Sequence, residues 1–189
     1  MANIECQKFP GGFENVFTTN LNINSTITNT IIKTIRDGGD KQGRETNVKA
    51  SMTDWHMEKE PGFFQLEKEI NSIINYLPNV MISNISLQHT SMVVDQMWGM
   101  VYKKNDYTDF HNHWPSTWSG VFYLEIPNDY AGALVFPDLE HNIEPVTGQL
   151  VIFSGNTMHG VKTIQSNSER IAVSFNYLAQ PWRDLEKPQ

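Results

Sequence analysis

From about Ile82 onward the apolar residues recur with a period of two, whereas before that point they recur with a period near four. That change constrains the fold strongly, because side chains alternate across a strand and repeat every 3.6 residues around a helix. Trp98, Met100 and Tyr102 alternate with Met97, Gly99 and Val101, which reads as a strand. Ser119 to Ile126, Gly132 to Phe136, Gln149 to Phe153, Met158 to Ile164 and Arg170 to Leu178 follow, separated by clusters of Gly, Pro, Asn or Ser. Many short strands with no helices between them predict a β-sandwich or barrel rather than an α/β fold.

The earlier part reads as support for that core. Ile23, Ile27, Ile31 and Ile35, with Ile32 beside them, make one helical stripe over 24–37. Asn24 or Ser25 is the N-cap candidate, and Gly38-Gly39 is the stop. A second helix is predicted from Pro61 to Leu77, burying Leu66, Ile70, Ile73, Ile74 and Leu77, with Pro78 ending it. Phe9 to Phe13 is rich in turn formers and leads into an extended segment, and Asp37 to Glu45 reads as a polar loop. The expected organisation is one domain over 1–189, with helical and extended support in 1–80 and the β core in 81–180.

Composition removes several classes of function. The net charge of −7 would repel a phosphate backbone at long range, so no nucleic-acid partner is expected. No run of eighteen apolar residues exists, and Met1 to Pro10 lacks the apolar stretch of a signal peptide, so no membrane partner is expected. A single cysteine, Cys6, forbids an intrachain disulfide and fits a cytoplasmic setting.

Three of the six histidines stand where they could bind a metal. His111 and His113 are two apart, so on a strand both rings project from one face. His159 follows 46 residues after His113, at the head of a predicted strand, and can return opposite the pair. Three protein ligands on one face of an ion leave positions open for substrate or oxygen, and imidazole suits Fe, Zn, Cu or Ni. In the last strand Arg170, Ala172, Ser174 and Asn176 share one face, while Ile171, Val173 and Phe175 share the other. If the apolar set packs outward, Arg170 points into the barrel, where a guanidinium needs an anion such as a carboxylate. Pairing of Arg170 with Glu169 at a strand edge is the plainer alternative. His56, His89 and His141 read as structural or surface residues.

In this order and at these spacings the motifs resemble the 2-oxoglutarate- and Fe(II)-dependent dioxygenases, particularly the small prolyl-hydroxylase-related oxygenases of marine bacteria and phages. Tyr102 stands nine residues before His111. Ser119-Gly120-Val121-Phe122-Tyr123-Leu124 resembles the family's Ser-Gly-Val-(Phe/Tyr)-Tyr strand. Gly148 to Phe153 followed by His159 resembles its Gly-x-Leu-x-x-Phe…His segment, and Arg170 matches the basic residue that binds the far carboxylate of 2-oxoglutarate. The likeness covers about residues 94 to 178, and the segment from Gly43 to Trp55 is similar to phage-type members. It implies a double-stranded β-helix, the cupin-like jelly roll.

The resemblance implies an Fe(II) site of His111, His113 and His159, which carry the chemistry together with Arg170. It departs from the usual two histidines and a carboxylate, because His113 stands where the carboxylate is expected. A three-histidine site, ligation by Asp109 and loss of activity are the three readings of that departure. The implied cosubstrate is 2-oxoglutarate, anchored by Arg170 with Tyr102, Ser174 or Asn176 as hydrogen-bond donors. The implied reaction uses molecular oxygen to hydroxylate a small-molecule or peptide substrate, peptidyl proline first among the options, releasing succinate and carbon dioxide. Trp114 and Trp118, with Trp98, are candidates to stack on that substrate, and Tyr107 and Phe110 to form its lip. The competing readings are a cupin-type three-histidine metalloenzyme without 2-oxoglutarate, and a non-catalytic jelly-roll binding module.

Overall fold

The computed structural model describes residues 3–8, 15–39, 46–81 and 90–181. The turn predicted at Phe9 to Phe13, most of the loop before Thr46 and His89 lie outside the described residues. The first strands are β1 (Glu5–Lys8), β2 (Asn15–Asn20), β3 (Val48–Lys49), β4 (Ser51–Met52), β5 (Thr90–Tyr102) and β6 (Tyr107–His111). They continue as β7 (Trp118–Glu125), β8 (Leu134–Phe136), β9 (His141–Ile143), β10 (Gln149–Ser154), β11 (His159–Val161) and β12 (Arg170–Pro181). Two helices, α1 (Ser25–Gly38) and α2 (Phe63–Met81), interrupt the early strands.

The strands form two antiparallel sheets. A large one runs β1-β2-β10-β7-β12-β5-β4, and a small one runs β3-β6-β11-β8-β9. Alternation along each strand of the large sheet sends its side chains to two different cores. Ile171, Val173, Phe175 and Tyr177 of β12 join Ile31 and Ile35 of α1 and Leu66, Ile70 and Ile74 of α2 in one cluster. Met100, Tyr102, Tyr123, Phe153 and Ala172 face the other way and meet Leu134, Phe136 and Ile143 of the small sheet. The layers are therefore helices, large sheet and small sheet, and the two sheets close on each other as a jelly roll, the double-stranded β-helix.

Local chemistry explains how the helices dock. Asn24 caps α1, its side-chain oxygen accepting from Thr26 N at 2.8 Å. Gly99 on β5 lets α1 approach: a Cβ there would sit 2.2 Å from Ile35 Cγ1. The second helix begins at Phe63, two residues after Pro61, with Gly62 N donating to Gln65 Oε1 at 3.1 Å. It also continues past Pro78 to Met81. Burial of Leu66, Ile70, Ile74 and Leu77, each 0% exposed, holds the helix through the hydrogen bond that proline cannot make.

Candidate metal centre and its cavity

Strand pairing sets the site. His159 on β11 lies directly across from His111 on β6 in the small sheet, so their rings meet at 4.5 Å between centroids. His113 is two residues beyond the end of β6 and is held by backbone bonds: its N–H donates to Gly155 O at 2.7 Å, and its carbonyl accepts from Ser116 N at 2.7 Å. Gly155 is required for that approach, because a Cβ would come within 2.0 Å of Ser116 O. The His113 ring reaches His111 and His159 at 4.8 and 5.0 Å. One ligand atom from each of the three residues lies within 4.8 Å of the other two.

The electrostatics suit ligation. His113 is held down to about 3, first by burial and then by the His111 charge that would face it. His159 is pushed well below its usual range by burial and by both neighbouring imidazoles. His111 is lowered by burial, with Asp109 partly opposing. All three rings are therefore neutral near pH 7, the form that binds metal. His111 Nδ1 contacts the Asp109 carbonyl at 2.8 Å and His159 Nδ1 the Thr157 carbonyl at 3.0 Å. A carbonyl only accepts, so both Nδ1 atoms carry hydrogen and both Nε2 atoms keep a free lone pair. The Asp109 carboxylate is half exposed and 3.9 Å from Lys49 Nζ, outside the three-histidine group.

The same cavity is lined by Arg170, Tyr102, Ser174, Trp98 and Met100. Arg170 starts β12, paired with Tyr102 of β5 in the large sheet, and it is 1% exposed. Its guanidinium lies 5.1 Å from the centroids of both the Tyr102 and the Tyr123 rings, and Nη1 donates to the carbonyls of Ala131 and Gly132. Its Nε is buried without a hydrogen-bond partner, and the buried Tyr123 hydroxyl has the guanidinium itself as a polar neighbour. Burial pushes Tyr123 up to about 12 against the opposing Arg170 charge, so it is a neutral phenol that can donate. A buried cation with an unused N–H fits an anionic ligand, since such a group is costly unless partnered. Three neutral imidazoles and an anion cradle together fit a divalent metal with a carboxylate ligand.

Other sequence candidates fall elsewhere. Asn176 is six residues from Arg170, about 20 Å along an extended strand, and stands behind His113 with Nδ2 3.5 Å from His113 Nδ1. Trp118 faces the helix side by alternation and packs edge-on against Phe17, so it does not line the cavity. Trp98 is buried beside His113, its ring 5.9 Å away, and packs on Trp55. Trp114, Phe110 and Tyr107, in or next to β6, are exposed. His56 sits 4.0 Å from Glu58, and His141 is stacked on Phe136. Thr108, whose hydroxyl bonds Tyr102 at 2.7 Å, lines the cavity, and Tyr123 packs against Arg170 without lining it; the sequence reading gave neither a role. Alternation from Val121 along the same strand is the signal that points Tyr123 inward.

The sequence profile of the 2OG-Fe(II) oxygenase superfamily matches residues 92–178, the stretch that holds all three histidines and Arg170. No functionally curated protein is similar in sequence. Among solved structures, the viral collagen prolyl hydroxylase of Paramecium bursaria Chlorella virus-1, in complex with 2-oxoglutarate, is similar at 17% identity and a TM-score of 0.64. That match covers 86% of this chain and 94% of that one. A Pseudomonas putida prolyl-4-hydroxylase is similar at 16% identity and a TM-score of 0.63, covering 86% and 91%. The α-ketoglutarate-dependent epimerase SnoN of nogalamycin biosynthesis is similar at 11% identity and a TM-score of 0.64, covering 86% and 77%. At these identities the structures share the fold.

Proposed function

We propose that the chain is a 2OG-Fe(II) oxygenase, working with Fe(II) and 2-oxoglutarate, and that it hydroxylates its substrate at the three-histidine centre; the match of that superfamily's profile to residues 92–178 supports the reading. The observation that carries the reading is the convergence of three neutral imidazoles and one partly unpartnered buried arginine on a single cavity. His111, His113 and His159 hold the Fe(II) through imidazole nitrogens. Bound together, Fe(II) and 2-oxoglutarate supply oxygen activation: the keto acid leaves as succinate and carbon dioxide, and one oxygen atom enters a C–H bond of the substrate.

The protein's own residues position and exclude. Arg170 binds the far carboxylate of the keto acid through the edge that Ala131 and Gly132 leave free, and Tyr123 packs against the guanidinium from behind. Tyr102 is fixed by Thr108 and presents its ring to the guanidinium, while Ser174 lines the same wall. Trp98, Met100 and Leu134 keep that part of the cavity apolar, which strengthens the arginine's hold on an anion. His113 in place of a carboxylate leaves the centre one unit more positive, matched by a dianionic cosubstrate. Trp114, Phe110 and Tyr107 offer exposed ring faces for the substrate, and a peptidyl proline is the first candidate because its ring stacks on such faces.

The test is turnover. Protein reconstituted with Fe(II) is given 2-oxoglutarate, oxygen and a set of proline-containing peptides, and succinate and peptide mass are followed. Succinate with a peptide gain of one oxygen atom, absent from His159→Ala, is the expected result. Succinate without any modified peptide would remove the prolyl assignment and keep the oxygenase. No succinate with any substrate, in protein shown to hold iron, would remove the proposed activity.

A further inference from the structure

Two of the three imidazoles have their tautomer fixed by a carbonyl two residues earlier, as described for His111 and His159. The polar contact of His113 Nδ1 is different: it is the side-chain amide of Asn176, whose Nδ2 lies 3.5 Å away. Asn176 is 3% exposed and is tied on both sides. Ser119 Oγ donates to its Oδ1 at 2.7 Å, and its Nδ2 donates to Gln96 Oε1 at 3.0 Å. In the arrangement with Nδ2 facing it, His113 Nδ1 accepts and the ring hydrogen sits on Nε2.

An amide turned by half a turn has the same shape and the opposite polarity. Asn176 Oδ1 would then accept from His113 Nδ1–H, and Nε2 would present a lone pair. Every neighbour can follow: Ser119 Oγ can accept from Nδ2, and the Gln96 amide, turned likewise, can donate to Oδ1. The chain Gln96–Asn176–Ser119 therefore has two complete hydrogen-bonded arrangements, and the imidazole stays neutral in both. One matches an imidazole with no metal on Nε2, and the other matches a metal ligand.

We propose that Asn176, backed by Ser119 and Gln96, is the positioning residue that decides which nitrogen of His113 carries hydrogen, and that its amide turns over when the metal binds. The proposal rests on the reading that His113 is a ligand. It gives a three-histidine centre a side-chain orienter for the one imidazole whose Nδ1 meets an amide instead of a main-chain carbonyl. Partners of this kind typically change metal affinity 10- to 100-fold when removed.

The experiment compares Co(II) affinity, by anaerobic absorbance titration, in the parent, Asn176→Leu, Asn176→Asp and His113→Ala. Leucine keeps the shape and loses the polarity, so Co(II) binding is expected to weaken about 10- to 100-fold. A carboxylate can only accept, so Asn176→Asp is expected to bind at least as tightly as the parent. Imidazole ¹⁵N NMR of the unaltered protein supplies a readout that needs no variant to fold. His113 should show Nε2–H without metal and Nδ1–H with Zn(II), and Asn176→Asp should show Nδ1–H before any metal is added. Parental affinity in both Asn176 variants, equal weakening in both, or Nδ1–H in the metal-free parent would overturn the proposal. Parental affinity in His113→Ala would instead remove the third-ligand reading itself.

Discussion

Replacing Arg170 by lysine keeps a positive charge in the cavity and removes the planar fork. Arg170 is 1% exposed, so its surroundings are fixed: two aromatic rings 5.1 Å away, and the Ala131 and Gly132 carbonyls on Nη1. Those carbonyls use one edge, and the unpartnered Nε belongs to the other. A lysine ammonium has one head, which can meet the carbonyls or a bound carboxylate but does not span both as the fork does. Losing one hydrogen bond to a charged group is worth about 1.5–3 kcal/mol, so 2-oxoglutarate should bind roughly 10- to 150-fold more weakly. Metal affinity should not move, because the histidines are carried by the small sheet and the loop after β6, not by β12. Calorimetric titration of Co(II)-loaded Arg170→Lys with 2-oxoglutarate under argon measures the first quantity, and Co(II) titration measures the second. A parental 2-oxoglutarate affinity would refute the assigned role of Arg170, and a matching loss of metal would show that the substitution damaged the site as a whole.

Asp109→Ala should keep metal, since the Asp109 carboxylate is half exposed beside Lys49, whereas His113→Ala should lose it; metal content after dialysis separates the two. Stability of the metal-free protein should fall as pH drops from 6.5 toward 3, because unfolded histidines take up protons there while buried His113 and His159 stay neutral. Each such histidine adds up to about 1.4 kcal/mol per pH unit, so urea midpoints at pH 7 and pH 5 should differ less in His113→Asn than in the parent. Gly99→Ala should destabilise by about 1–3 kcal/mol through contact with Ile35, and Ile35→Val in the same chain should recover part of that loss, read from thermal melts.

The alternation in β12 was legible residue by residue. Ile171, Val173 and Phe175 pack under the helices, and Arg170 and Ala172 point between the sheets, as a period of two requires. The α1 stripe and its Asn24 cap were equally plain, because cap chemistry is local. Pro78 misled, since tertiary burial of the preceding turns outweighs a lost backbone bond. Trp118 misled for a different reason: being large and aromatic suggests a binding surface, but the face of a strand residue is set by parity with its neighbours. The edge strand β1 left no signal, because its described side chains are exposed and, Cys6 apart, polar, and an edge needs no buried face. Asn176 was legible as an inward residue, yet its place behind His113 depends on how far along β12 the loop after β6 crosses, which is a tertiary distance.

The central claim is that one cavity holds Fe(II) on three neutral histidines and 2-oxoglutarate on Arg170 at the same time. Anaerobic addition of Fe(II) and then 2-oxoglutarate, followed by visible absorbance, tests it most directly. The expected result is a weak charge-transfer band that saturates at one 2-oxoglutarate per iron, disappears on admitting oxygen, and is absent from His159→Ala. Iron bound in full with no band at any 2-oxoglutarate concentration would contradict the claim.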